Sequence, residues 1–443
     1  MKILAILIGK ITLLFGNILN RGSSLPGKLA LTCDKNLLKK FKISGVKIAV
    51  TGSSGKGSTA ALIANTLKNT KASVCYNKAG SNLAWGITST LLEFSTISGK
   101  LKCDYLVLEV DERYTKTIFK YLKPDYIVIT NLTKDQPPRN FHIDHVYNEI
   151  KEAIPSNSTI LTCMDDPYLR NFEKDLPNEV IYCSLNKNKY SYHEQIFENL
   201  NTYYCPYCKH ELEYSYYNFE TMGKYNCPNC SFKHESSCVH ATKLDLENKT
   251  ITIDNYKIKL VGSMLYDAYN TLYAYNLLKE LKIPKETIAT NLSLSITDKT
   301  KENFTSYGKN YYLLNCKCEN ATTFNQALFK VRADESLKDV IIGWREITRR
   351  YPHHDISWIY DITFELLNDS NLNKVYVIGV SNKDLEKRLI LANIPEDKIE
   401  VANNLEEIKK EIEKSKVQSV YGILNYDYDN PFPFTNTFKE GEN

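Results

Sequence analysis

The sequence predicts an α/β fold, a doubly wound and mostly parallel sheet with a small four-cysteine insertion, followed by a second α/β unit. Three observations predict this. An apolar strand at 46–50 runs through the glycine-rich turn Gly52-Ser53-Ser54-Gly55-Lys56-Gly57-Ser58-Thr59 into helix-forming sequence at 60–67. Strand-like and helix-like runs alternate on either side of it, as a parallel sheet with crossover helices requires. Finally, Cys205-Pro206-Tyr207-Cys208 and Cys227-Pro228-Asn229-Cys230 form two C-P-x-C knuckles eighteen residues apart.

Residues 1–45 read as a lead-in. Residues 1–15 are largely apolar, but Lys10 interrupts the run and no small-residue cleavage site follows, which argues against a signal peptide. The stretch is expected to be an amphipathic helix lying on the protein body, with a membrane-surface helix as the alternative. Residues 46–300 form the main domain. Its glycine-rich turn has the context of a phosphate loop: backbone N–H groups and the positive end of the helix dipole face an anion there. Lys56 would reach the terminal phosphates, and the hydroxyl of Ser58 or Thr59 would ligate Mg²⁺. The spacing departs from G-x-x-x-x-G-K-[ST], with two residues between Gly52 and Gly55 and an extra Gly57.

After the loop, strands are expected at 73–76, 104–109, 125–130 and 159–162, with helices at 83–93, 115–122 and 146–153. Ligands of such sheets bind beyond the carboxyl ends of the strands, where Glu109, Asp111, Glu112, Asn131 and Asp135 fall. Glu109, ending the strand beside the loop, is placed to hold Mg²⁺, whereas Glu112 reads more readily as a solvated acid. The cysteine knuckles define a ribbon at about 201–240. Four thiolates leave Zn²⁺ no open position, so Cys205, Cys208, Cys227 and Cys230 should form a structural site. Strands at 250–253 and 257–261 and a helix at 266–281 complete the domain. A polar, glycine-containing join at 298–310 leads to a C-terminal unit, 301–443, with strands at 311–314, 340–342, 374–378 and 419–424, and helices at 323–331, 383–392 and 405–414.

The chain has 443 residues, a net charge of +4 from 56 basic and 52 acidic residues, and 12 cysteines. Charges of both signs look spread along its length, which calls for neither a nucleic-acid nor a membrane-surface partner. A nucleotide site and unpaired cysteines together predict a cytoplasmic protein.

Several motifs occur in an order that resembles the Mur ligase superfamily, specifically its amide-forming branch. They are Leu25-Pro26-Gly27-Lys28, the phosphate loop, Asn77-Lys78-Ala79-Gly80-Ser81-Asn82-Leu83, Leu108-Glu109-Val110-Asp111-Glu112 and Thr130-Asn131-Leu132-Thr133-Lys134-Asp135-Gln136. Asp165-Asp166-Pro167, the ribbon, Tyr269-Asn270-Thr271-Leu272 and Asp355-Ile356-Ser357-Trp358 follow. The resemblance implies a Mur ligase-type ATPase domain with an inserted zinc ribbon and a C-terminal α/β domain. It also implies a ligase that uses ATP and Mg²⁺ to amidate the α-carboxyl of D-glutamate in the stem peptide of lipid II through an acyl phosphate. Lys56 and Glu109 would serve the chemistry. Gly52, Ser53, Gly55, Gly57, Ser58, Thr59, Asn82 and Asn270 would line the nucleotide, with Asn270 against the adenine.

No cysteine stands on the glycine-flanked elbow a glutaminase needs, so ammonia would come from a partner glutaminase, which the resemblance implies is GatD-like. By resemblance, Asp355 would complete that partner's Cys-His pair, with Asp361 as the alternative. A helix is expected at 358–367 behind it. The sequence departs from the family at Pro137-Pro138-Arg139 and at 345–354. These departures keep two alternatives open: an amino-acid-adding ligase of the Mur or folylpolyglutamate type, and a nucleotide-binding scaffold. The expected location is the cytoplasm, with the inner face of the membrane that holds lipid II as a further option.

Overall fold

The computed structural model describes residues 1–18, 24–77, 81–134, 142–198, 200, 202–235, 239–295, 303–316, 320–344, 356–425 and 434–439. The chain forms two compact units. One comprises Met1–Thr133, Ile143–His193 and Thr202–Thr297, and the other Lys134–His142, Glu194–Asn201 and Asp298–Asn443.

In the first unit, α1 (Lys2–Ile18), α2 (Leu25–Cys33) and α3 (Leu37–Lys40) precede β1 (Lys42–Ile43), β2 (Val46–Thr51) and α4 (Lys56–Asn69). Next come β3 (Val74–Tyr76), α5 (Ala84–Phe94), β4 (Lys100–Leu101), β5 (Tyr105–Glu109), α6 (Thr115–Leu122) and β6 (Tyr126–Ile129). The alternation continues through α7 (Ile143–Ala153), β7 (Thr159–Cys163), α8 (Asn171–Asp175) and β8 (Val180–Leu185). The hairpin β9 (Glu213–Phe219) and β10 (Met222–Asn226) is followed by β11 (Val239–Asp245), β12 (Thr250–Ile253), β13 (Tyr256–Lys259), α9 (Leu265–Glu280) and α10 (Lys285–Leu294).

Nine strands form one sheet in the order β13-β12-β11-β8-β7-β6-β2-β5-β3. From β11 to β3 every pairing is parallel, and only β12 and β13 run antiparallel to their neighbours. Strand β2 lies between β6 and β5, and its buried Ile48, Ala49 and Val50 show why it reads as a continuous apolar run. The β12–β13 turn is tight because Asp254 and Asn255 both adopt positive φ (49° and 70°), the geometry of a type I′ hairpin. Strands β8 and β11, neither of which was expected, are parallel neighbours. Parallel neighbours need a crossover connection, and the ribbon lies within this one.

Helix α1 does pack on the protein body, against α2 and α5, burying Ala5 and Ile6. A Cβ at Gly9 would stand 2.4 Å from Leu92 Cδ1, so the absent side chain lets α1 lie close against α5. Its polarity is the reverse of the amphipathic helix expected. Lys10 turns inward and donates to the Leu92 carbonyl at 2.6 Å, while Ile3, Leu4, Leu7, Ile11, Leu14 and Phe15 are exposed.

The second unit contains β14 (Asn303–Ser306), β15 (Lys309–Cys316), α11 (Ala321–Arg332), β16 (Lys338–Trp344), β17 (Leu372–Gly379) and α12 (Asn382–Leu391). It ends with β18 (Ile399–Val401), α13 (Leu405–Lys414), β19 (Ser419–Asn425) and α14 (Phe434–Phe438). Its sheet has the order β14-β15-β19-β16-β17-β18, with β14 alone antiparallel. Ile408 and Ile412 of α13 and Phe434 and Phe438 of α14 pack with Tyr311, Ile341, Tyr376 and Val420 of the strands.

The helix expected at 358–367 is instead two 3₁₀ turns, Ser357–Asp361 and Phe364–Leu367. The break falls where the Thr363 N–H donates to Asn325 Oδ1 (2.8 Å) and the Ile362 carbonyl accepts from Arg388 Nη2 (2.7 Å), so those backbone groups are diverted from a helix. In the same unit, Phe197 packs on Phe329, the Glu198 N–H donates to Thr363 Oγ1 (3.1 Å) and Lys134 pairs with Asp361 (3.2 Å).

Candidate functional site

The candidate nucleotide site lies where β2 ends and α4 begins. Gly52 and Gly55 have φ of 132° and 78°, values that an L side chain rarely adopts. Each glycine also makes room for a neighbour. A Cβ at Gly52 would meet Thr130 Oγ1 at 2.5 Å, one at Gly55 would meet Asn270 Oδ1 at 2.5 Å, and one at Gly57 would lie 3.2 Å from Glu109 Oε2. The first turn of α4 thus carries the Glu109 carboxylate close against it.

The loop is held from the end of β6. The Ser53 N–H donates to the Asn131 carbonyl (2.9 Å), and Ser53 Oγ donates to the Thr133 carbonyl (3.0 Å). The Asn131 side chain receives the Ser54 N–H (3.0 Å) and returns its own amide to the Ser54 carbonyl (3.0 Å), while Thr130 Oγ1 donates to that carbonyl at 2.7 Å. Asn131 therefore clamps the phosphate loop, a role invisible in sequence because the partners are 77 residues apart. The available signal was an amide side chain just beyond a buried strand.

Lys56 is buried and points back over its own loop. Its ammonium donates to the Gly52 carbonyl, to the Ser53 carbonyl (3.2 Å) and to Glu112 Oε2 (3.0 Å). Glu112 is 2% exposed, which corrects its reading as a solvated acid: it is the carboxylate partner of the loop lysine. Glu109 is also buried. It accepts from Asn82 Nδ2 (3.0 Å), and its backbone is fixed by Asn77, which accepts the Glu109 N–H and donates to the Glu109 carbonyl, both at 2.8 Å. Burial, then the nearby Glu109 charge, push the Tyr76 phenol up to about 12.

Of the two hydroxyls expected near Mg²⁺, Thr59 is buried and donates to Asn270 Oδ1 at 3.1 Å, whereas Ser58 is exposed on the first turn of α4. Among the described residues Asn270 Nδ2 is buried without a hydrogen-bond partner, leaving a donor beside the phosphate loop. Gly52, Ser53, Gly55, Lys56, Gly57, Ser58, Thr59, Asn82, Glu109 and Asn270 are thus joined by direct contacts or by chain continuity. Their fit to a nucleotide rests on the orphan amide of Asn270 and on the positive φ of Gly52 and Gly55 at the start of α4. Asp355 lies outside the described residues, as do Asp135 to Phe141.

The second site is the ribbon. The four cysteine Sγ atoms all lie within 4.8 Å of one another, with Cys205 and Cys230 at 3.6 Å and Cys208 and Cys227 at 3.4 Å. Tetrahedral Zn²⁺ with Zn–S bonds of 2.3 Å sets S···S edges of about 3.8 Å, so the donor set and spacing fit a closed zinc site. Burial pushes the Cys205 and Cys227 thiols up, whereas hydrogen bonds from Asn229 and the His210 backbone hold Cys208 down at about 6.

The ribbon is welded to the sheet. Tyr225 donates to the Met164 carbonyl (2.7 Å), Arg170 to the Lys233 carbonyl (3.1 Å) and Lys174 to the Pro206 carbonyl (2.9 Å). His234 lies 3.0 Å from Asp165, whose other oxygen accepts from Tyr269 (2.8 Å), the residue before Asn270.

A mostly parallel sheet with a phosphate loop at an interior strand, a carboxylate ending the adjacent strand and a separate C-terminal α/β unit define a protein of the Mur ligase type. Residues 50–232 match the family model of the Mur ligase middle domain, and residues 318–428 match that of the MurT ligase C-terminal domain. The chain thus carries a Mur ligase middle domain followed by a MurT ligase C-terminal domain.

Among curated proteins it is 28% identical over 380 residues to the lipid II isoglutaminyl synthase (glutamine-hydrolyzing) subunit MurT of Staphylococcus aureus, covering 84% of each chain. It is 29% identical over 437 residues to the subunit of the same name from Streptococcus pneumoniae, covering 92% of this chain and 91% of the relative. Two solved structures share the fold. A pseudomurein peptide ligase type C from Methanothermus fervidus has a TM-score of 0.66 at 19% identity, covering 89% of this chain and 79% of that one. MurF from Thermotoga maritima in complex with ADP has a TM-score of 0.59 at 17% identity, covering 92% and 83%.

Proposed function

We propose that this chain is the ATP-dependent subunit of a lipid II isoglutaminyl synthase, converting the α-carboxyl of D-glutamate in the lipid II stem peptide into its amide. The observation that carries the reading is a glycine-rich loop with buried Lys56 and Glu109 beside it, in the same chain as a region matching the MurT ligase C-terminal model. A carboxylate is a poor acyl donor because an oxide is too basic to leave. In the proposed first step a carboxylate oxygen attacks the γ-phosphorus of ATP, the bond to the β-phosphate oxygen breaks, and ADP departs. In the second step the ammonia nitrogen attacks the acyl carbon, the carbon–oxygen bond to phosphate breaks, phosphate leaves and the nitrogen loses a proton.

Both steps ask mainly for positioning and charge neutralisation. Lys56 would exchange its loop carbonyls for phosphate oxygens, and the N–H groups of the first turn of α4 would face the same phosphates. Ser58 and Glu109 would hold Mg²⁺, which when bound supplies charge neutralisation across the phosphate oxygens. Asn82 orients Glu109, and the unpaired amide of Asn270 is assigned to the adenine side. Ammonia would come from a GatD-like glutaminase partner, with Asp355, or alternatively Asp361, completing that partner's catalytic pair. The proposed location is the cytoplasmic face of the membrane.

The test is phosphate release by the purified chain with ATP, Mg²⁺ and ammonium chloride. Release should depend on lipid II and vanish in Lys56→Ala. Release that ignores lipid II would remove the assigned substrate.

A further inference from the structure

Helix α1 presents an outward face that water does not suit. Lys10 is turned inward onto the Leu92 carbonyl, and every strongly exposed residue between positions 3 and 15 is apolar, from Leu7 at 37% to Leu14 at 63% exposed. A helix that is apolar on its solvent side needs a partner surface. The neighbouring helices extend the face: α2 exposes Leu25 and Leu29, and Trp85 at the start of α5 is 45% exposed with the Lys28 ammonium 5.1 Å from its ring.

Charge identifies the partner. The near-balance of the whole chain hides an asymmetry, because the first 92 residues hold 13 of the 56 basic residues and one of the 52 acidic ones, Asp34. They therefore carry +12, and the remaining 351 residues carry −8. The expectation that charges of both signs are spread along the chain's length is corrected by this count. Asp34 is itself paired with Lys40 at 2.5 Å.

We propose that the outward face of α1, extended by α2 and the start of α5, docks on the surface of an anionic lipid bilayer. The apolar residues would enter the boundary between headgroups and acyl chains, to a depth of about 5–10 Å, while exposed Lys28 meets the headgroups beside Trp85 at the interface. Among the described residues no helix is long and apolar enough to cross a membrane, and the Lys10 contact ties α1 to the protein body, so the face lies on the bilayer rather than through it. The choice of a bilayer as occupant rests in part on the lipid-held substrate proposed above; the face and its charge do not.

The test is co-sedimentation of the full chain with vesicles of phosphatidylcholine alone or mixed with phosphatidylglycerol. The wild type should pellet with the mixed vesicles, less with the neutral ones, and progressively less as salt is raised. The triple variant Leu7→Gln, Ile11→Gln, Leu14→Gln should lose at least about tenfold in partitioning. Its melting temperature and its amidation of detergent-dispersed lipid II should stay at the wild-type level.

Three results would overturn the proposal. The wild type could stay in the supernatant, or the triple variant could bind as well as wild type. Alternatively, light scattering could show a wild-type dimer that the triple variant dissolves, which would assign the face to a second copy. Loss of detergent-phase amidation in the wild type would count against the proposed reaction and leave the docking face untouched.

Discussion

Lys56 and the residues touching it carry the most specific expectations at the residue scale. Glu112→Ala removes the carboxylate partner of a buried ammonium, so it should lower stability by about 1–3 kcal/mol without nucleotide. If Lys56 moves to phosphate, saturating ATP should narrow the gap in melting temperature between variant and wild type. Gly55→Ala puts a Cβ 2.5 Å from Asn270 Oδ1 at a φ of 78°, a strain of about 1–2 kcal/mol, and equilibrium binding should show ATP affinity falling roughly tenfold.

Asp166 makes a pH prediction. Burial pushes its carboxyl up to about 6, against the N–H of Tyr168, which donates to it at 2.9 Å and pulls the other way. The folded state therefore holds this proton more tightly than the unfolded chain. The corresponding stability is present below about pH 4 and is lost as pH rises to about 6, on the order of 3 kcal/mol. Calorimetry of Asp166→Asn should show this decline flattened and a higher melting temperature at pH 7.5.

At the scale of elements, the ribbon is both a fold and a brace. Its own core is small, formed by Cys205, Leu212, Tyr225, Cys227 and Phe232, so metal binding must supply much of its folding energy, on the order of 10 kcal/mol. Cys205→Ser should abolish stoichiometric zinc by metal analysis and lower the melting temperature. Because His234, Asp165 and Tyr269 link the ribbon to the helix that carries Asn270, nucleotide affinity should weaken with it; unchanged affinity would confine the ribbon to stability.

The ribbon and the β2–loop–α4 unit were legible because their information is local: cysteine spacing, and glycines between an apolar run and a helix. What escaped reading depends on distant partners. The Asn131 clamp and the Lys56–Glu112 pair each join residues more than fifty positions apart, and the break at Ile362 and Thr363 is set by Asn325 and Arg388. Strands β8 and β11 were missed because the ribbon separates them in sequence, although they are adjacent in the sheet.

For the whole molecule, the two α/β units correspond to the division of labour proposed here, with nucleotide chemistry in the first and the glutaminase-facing aspartate in the second. Asp355→Asn should preserve amidation with free ammonium and lose it when glutamine and the partner supply the nitrogen. Loss of both activities would remove that role from Asp355. The order of motifs made the family legible from sequence, while the charge of the first 92 residues was masked by the near-neutral total.

The most direct measurement is mass spectrometry of lipid II after incubation with this chain alone, ATP, Mg²⁺ and ammonium chloride. The account predicts replacement of one carboxyl OH by NH₂ on the D-glutamate, dependent on ATP and absent in Lys56→Ala. Unchanged lipid II under conditions where the chain binds ATP would contradict it.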